Sequence, residues 1–133
     1  MDEPVVIPDD QRQIELTLAT LADIDECDLV LTTGGTGLGP RDRTPEATRV
    51  VVDRLAPGFV EAMRAESLKV TPHAMLSRAV AGTRGKTLIV NMAGSPKACR
   101  EQFQVIAPAL EHAIQTLRGE ASECAQPAQP TDS

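Results

Sequence analysis

LTTGGTGLGPRDRTPEAT, residues 31–48, is the stretch on which the fold reading turns. Immediately before it, Cys27 to Thr33 is a short run rich in Leu and Val, which suits a buried parallel strand opening into a loop. The loop is Gly34 to Arg43. Thr44 as N-cap and Pro45 at the first helical position then start a helix running to about Leu55. Four glycines leave backbone N–H groups open to a ligand, Thr32, Thr33 and Thr36 offer hydroxyls, and Arg41 stands beside Asp42. Such a loop either cradles a phosphate or is simply a tight turn. Asp42 has the same two readings, a turn residue or a ligand for a divalent cation, and so do Asp9 and Asp10, one of which caps a helix.

The same pattern recurs downstream. Thr87 to Asn91 is a second apolar, β-branched run, followed by a turn-rich loop (Met92 to Pro96) and a helix start at Ser95 and Pro96. Phe103, Ile106, Leu110, Ile114 and Leu117 fall on one face of that last helix. Upstream, Ile14, Leu18 and Leu21 define an amphipathic helix from Gln11 to about Ile24, with Asp10 and Gln13 as a capping box. Pro57 and Gly58 punctuate. Phe59, Met63 and Leu68 carry a helical stripe to Lys69, and Thr71 with Pro72 opens a short helix through about Val80. Alternating strands and helices predict an α/β fold with three layers around a mostly parallel sheet. Ligands then bind beyond the carboxyl ends of the strands, where Asn91, Gly94, Ser95 and Lys97 form a second polar group.

A chain of 133 residues sits in the range of one domain, read here as residues 1–118, with 119–133 as a disordered tail of Ala, Gln, Pro, Ser and Glu. Trp and Tyr are absent and the net charge is −6, which argues against nucleic acid as a partner. No apolar run reaches the length of a membrane span and the start has no signal-peptide pattern; Cys27, Cys99 and Cys124 form no C-x-x-C pair. These features predict a cytoplasmic protein without a disulfide framework or zinc site. Gly82 to Thr87 ends like a phosphate-binding P-loop, but Val80 stands where the first motif glycine belongs and the segment precedes a strand. His73 and His112 are far apart and lack neighbouring ligands, and Cys99, near a helix start, has no activating His.

Taken in order, residues 31–48, PGFVEAMRAESL (57–68), MLSRAVA (75–81) and LIVNMAGSPK (88–97) resemble the molybdopterin adenylyltransferase family, which includes the G domain of gephyrin. The resemblance runs from Ile7 to about Leu117. It implies a sheet of the molybdenum-cofactor biosynthesis type and an enzyme that joins ATP and molybdopterin, with Mg²⁺, to give adenylyl-molybdopterin and pyrophosphate. The family's two aspartates fall on Asp9 and Asp42, implied to be catalytic and to hold the metal. Thr33, Gly34, Gly35, Thr36 and Gly37 match the loop beside the nucleotide phosphates, and Ser77, Asn91, Gly94 and Lys97 match further polar binding positions.

Family members also carry a strand with a Ser-Asp motif, a helix and a second strand before the position of Ile7. The expectation is therefore a chain from which the first strand and helix are missing. The resemblance further implies a homotrimer, or a hexamer built from trimers, working with the molybdenum-insertion enzyme. A weakly catalytic molybdopterin-binding or assembly module, or a related nucleotide-processing enzyme, are the alternatives.

Overall fold

The computed structural model describes residues 3–120. Along them run α1 (Gln11–Asp23), β1 (Leu29–Thr33), α2 (Thr44–Val51), β2 (Arg54–Leu55), α3 (Gly58–Leu68), a 3-10 turn (Pro72–Leu76), β3 (Ala81–Arg84), β4 (Thr87–Met92) and α4 (Pro96–Leu117). The strands form one sheet in the order β1-β4-β3-β2.

All six residues of β4 are buried, because successive side chains enter opposite cores. Leu88, Val90 and Met92 meet Val60 and Met63 of α3 and Ile106 and Leu110 of α4. Ile89 meets Ile14 and Leu18 of α1 and Ala47 and Val51 of α2, with Val30 of β1 beside it. Helices thus cover both faces of the sheet, giving the expected α/β fold in three layers. Fully burying one such aliphatic side chain is worth about 1.5–3 kcal/mol, so β4 is the axis on which both cores depend.

The expectation of a mostly parallel sheet is corrected: the sheet is mixed. β1 and β4 are parallel, whereas β3–β4 and β2–β3 are antiparallel. Only Gly85 and Lys86 separate β3 from β4, with Arg84 paired to Thr87, and a link that short can only turn the chain back on itself. Gly85 has φ +58°, as a two-residue hairpin turn requires.

The helix begun at Thr44 ends at Val51, short of the expected Leu55. Val52 is extended, and the following backbone pairs with β3 through Asp53 N–H to Thr83 O (2.7 Å) and Ala56 N–H to Ala81 O (2.8 Å). Arg43, without a side-chain cap bond, occupies the cap position expected of Thr44, which lies buried inside the first turn. The short helix expected through Val80 is a 3-10 turn that stops at Leu76. Beyond it, Val80 is tied to β4: its N–H donates to Asn91 Oδ1 and its carbonyl accepts from Asn91 N–H, both at 3.0 Å. Asp10 caps α1 by accepting from Arg12 N–H, and Ser95 caps α4 by accepting from Ala98 N–H. Of the expected α4 stripe, Ile106 and Leu110 are buried while Phe103 is 39% exposed. Of the tail expected over 119–133, residues 121–133 lie outside the described residues.

Candidate functional site

Thr33 ends β1 beside Met92, the last residue of β4, so the loops following these parallel strands leave from the same edge of the sheet. The antiparallel hairpin carries residues 77–80 back to that edge as well, since Ala81 pairs with Val90. Three segments distant in sequence therefore converge there, and both α2 and α4 begin at it.

The first loop turns through Gly34 (φ +86°) and Gly35 (φ +71°), a region that side-chain-bearing residues rarely adopt. The glycines are also required by contact. A Cβ on Gly35 would stand 2.4 Å from Thr44 Oγ1, and one on Gly94 would stand 3.2 Å from Gly34 Cα, so the two strand-end loops touch backbone to backbone. Gly34 N–H donates to Met92 O at 3.0 Å, fixing the first loop to the end of β4.

Arg78 holds the loop from beneath. Its Nε donates to Gly37 O and one terminal nitrogen to Asp42 O, each at 2.7 Å, while its backbone N–H donates to Thr36 O at 2.8 Å. The guanidinium also pairs with Glu46 of α2 and holds that carboxyl below its usual range. Thr44 N–H takes the Gly35 carbonyl at 3.2 Å. The carbonyls of Gly35, Thr36 and Gly37 are thus all occupied. By contrast, among the described residues the N–H groups of Gly35, Thr36, Gly37 and Leu38 meet no protein acceptor. Successive backbone N–H groups without a protein acceptor are the raw material of an anion-binding turn.

Asp42 closes the loop. One carboxylate oxygen, Oδ2, accepts from Gly39 N–H at 2.9 Å; the other has no protein partner among the described residues. Asp9 is exposed and its carboxylate is likewise unpaired among them. Arg43 donates to Gln11 Oε1 at 2.9 Å, which ties the start of α1, just after Asp9, to the end of the Asp42 loop. Among the described residues no three His, Cys, Asp or Glu gather as a metal cage. The free carboxylate oxygens of Asp42 and Asp9 are hard donors of the kind a divalent cation takes, one or two at a time, together with substrate phosphates.

Other sequence-derived positions differ. Asn91 is fully buried: besides its bond to Val80, its amide donates to Thr32 Oγ1 and Thr48 Oγ1, both at 3.0 Å. Both amide hydrogens are therefore spent inside the protein, and Asn91 shapes the floor without facing a ligand. Ser77 Oγ accepts from Ala79 N–H at 3.2 Å, and Lys97 pairs with Glu101 at 2.8 Å on an exposed helix turn that leaves the ammonium free to swing. Thr33 is exposed, Thr36 is buried and Gly94 lies exposed in the second loop. Arg78 follows Ser77 in the MLSRAVA segment without any local signal of its role, because its partners lie up to 41 residues away.

Comparison with known proteins places this arrangement. The family described as a probable molybdopterin binding domain (MoCF_biosynth) matches residues 1–112. The chain belongs to that family. It is 46% identical over 114 residues to a molybdopterin adenylyltransferase of Helicobacter pylori (strain J99), covering 86% of this chain and 65% of that protein. To the Escherichia coli K12 protein of the same name it is 50% identical over 107 residues, covering 80% and 55%. The chain thus spans about half to two thirds of the length of these curated relatives. Among solved structures of the family, the molybdopterin biosynthesis enzyme MoaB of Thermus thermophilus superposes with a TM-score of 0.79 at 53% identity, covering 84% of this chain and 70% of that one. Among the described residues no helix is long and apolar enough to cross a membrane.

Proposed function

We propose that this chain carries the chemistry of a molybdopterin adenylyltransferase, transferring an adenylyl group from ATP to molybdopterin with release of pyrophosphate. The carrying observation is the row of unpaired N–H groups from Gly35 to Leu38, at the edge where two parallel strands end. Membership of the family and the likeness to proteins named molybdopterin adenylyltransferase support the same reading.

In this reading a phosphate oxygen of molybdopterin attacks the α-phosphorus of ATP in line. A new P–O bond forms as the bond to the pyrophosphate oxygen breaks, and no covalent protein intermediate is needed. The N–H groups of residues 35–38 stabilise charge on the phosphates. Because they are held before substrate arrives, they require no reorganisation during the reaction, and losing one such donor typically costs about 10²–10³ in rate. Asp9 and Asp42 would hold Mg²⁺, which when bound supplies neutralisation of the phosphate charge. Thr33, which ends β1, and Lys97, in the first turn of α4, are the further donors assigned to these anions, and the support for both is the family resemblance. The working form is a cytoplasmic homotrimer, or a hexamer of trimers, that passes its product to the molybdenum-insertion enzyme; the support for this is the family resemblance.

The test is incubation of the chain with ATP, Mg²⁺ and molybdopterin, following pyrophosphate release and formation of adenylylated pterin. Molybdopterin-dependent pyrophosphate release is expected. Molybdopterin binding without any pyrophosphate would instead leave a binding or assembly module.

A further inference from the structure

We propose that Arg78 is a positioning residue for phosphate recognition: it sets the orientation of the peptide planes in the Gly35–Asp42 loop and touches no substrate. The proposal rests on the phosphate-binding role given above to that loop. A peptide plane can flip, and each plane from residue 36 to 38 has Gly37 on one side, where no Cβ opposes the change. A flip at residues 36–38 would present a carbonyl oxygen where an N–H now points, turning an anion cradle into an anion-repelling surface.

Arg78 opposes that flip by occupying the carbonyls. Three contacts reach separate points of the loop, Thr36 O through the backbone and Gly37 O and Asp42 O through the guanidinium. The rigid planar fork delivers its bonds in fixed relative directions, which a flexible ammonium does not. Glu46 takes the remaining face of the guanidinium and neutralises it, so the cation is committed to the protein and not offered to the ligand. The antiparallel turn into β3 is what brings Arg78 to this edge, and the bonds between Val80 and Asn91 fix its height.

The experiment compares the unmodified chain with Arg78→Ala and Arg78→Lys, measuring the affinity of each for ATP, AMP and adenosine with Mg²⁺ present. Amide hydrogen exchange at Gly39, Asp42 and Thr44, whose N–H groups bond within the loop, is followed in parallel. Arg78→Ala should weaken ATP binding at least tenfold, AMP binding less and adenosine binding not at all, with faster exchange at the three amides. Arg78→Lys should fall between, and it keeps the question open to measurement if the alanine variant does not fold. A merely structural arginine would change ATP and adenosine affinity equally, and that result overturns the proposal. Unchanged exchange at all three amides in either folded variant also overturns it, whatever the nucleotide result. An unmodified chain that binds adenosine but gains nothing from added phosphates overturns the phosphate-binding reading itself; faster exchange in the variants would then leave Arg78 as a loop clamp without that function.

Discussion

Gly34 and Gly94 stand back to back across the ends of two parallel strands, close enough that a Cβ on Gly94 would lie 3.2 Å from the Gly34 Cα. That approach sets the spacing between the first loop, with its unpaired N–H groups, and the start of α4. A site built this way depends on backbone shape more than on side-chain chemistry, and substitutions at glycine should report it.

Gly35→Ala should destabilise the protein by about 2 kcal/mol or more, combining the left-handed backbone penalty of about 1–2 kcal/mol with a steric clash. The clash is with Thr44 Oγ1, 2.4 Å from the added Cβ, so Thr44→Ala should relieve part of the loss in the double variant. Gly58→Ala is the comparison, because nothing lies within 4 Å of its Cβ position, and it should stay within about 0.5 kcal/mol of the unmodified protein. Denaturant unfolding of the four proteins checks this. Equal stability of the Gly35 and Gly58 variants would show that the loop relaxes freely.

Asn91→Ala should act chiefly on stability. It strips Val80 N–H of its acceptor and deprives the Thr32 and Thr48 hydroxyls of a donor in a fully buried setting. At about 1–3 kcal/mol for a buried group left unsatisfied, the unfolding midpoint should fall by several degrees. ATP affinity, measured well below the new midpoint, should change less than it does on alteration of the first loop. A variant with normal thermal stability and lost ATP binding would restore Asn91 as a ligand contact.

These two cases mark what was legible beforehand. The apolar runs Cys27 to Thr33 and Thr87 to Asn91 and the Thr-Pro and Ser-Pro helix starts are local signals, and they point to β1, β4, α2 and α4 within a residue or two at most ends. β3 is Ala-Gly-Thr-Arg, with no alternation to read; it is a strand because β4 pairs with it and because Gly82 admits Arg54 O, which would lie 2.6 Å from a Cβ there. Missing β3 hid the return of residues 77–80 to the site, and so hid Arg78. The polar type of Asn91 was visible but its direction was not: only the surrounding strands show that its amide is spent on Thr32, Thr48 and Val80.

Acid should weaken the fold partly through Glu46 and Asp23. Both carboxyls are held below their ordinary range by hydrogen bonds to arginine, Arg78 for Glu46 and Arg84 for Asp23. A depressed folded-state pKa gives stability that is present above the ordinary value and is lost as the pH falls through the lower folded value. The loss should therefore begin below about pH 4.5 for Glu46 and pH 3.8 for Asp23, and continue downward. Glu46→Gln and Asp23→Asn should each flatten this acid limb in a plot of unfolding midpoint against pH. An unaltered limb in the double variant would assign acid sensitivity to other carboxylates.

Asp42→Asn and Asp42→Ala should separate charge from loop closure. Asp42 Oδ2 accepts from Gly39 N–H, and an asparagine carbonyl can keep that bond while removing the negative charge; alanine removes both. Asp42→Asn should therefore unfold within about 0.5 kcal/mol of the unmodified protein, as expected for a loop substitution that leaves the core alone, yet lose adenylyl transfer by about 100-fold or more. Asp42→Ala should lose the same activity and, in addition, exchange the Gly39 amide faster. Asp9 has no protein partner among the described residues, so Asp9→Asn should leave stability unchanged and reduce transfer alone. Raising Mg²⁺ should partly restore either asparagine variant if the lost charge held the metal, because weaker binding is offset by mass action. Full activity in Asp42→Asn at ordinary Mg²⁺ would remove Asp42 from the reaction and leave it as the residue that closes the loop at Gly39.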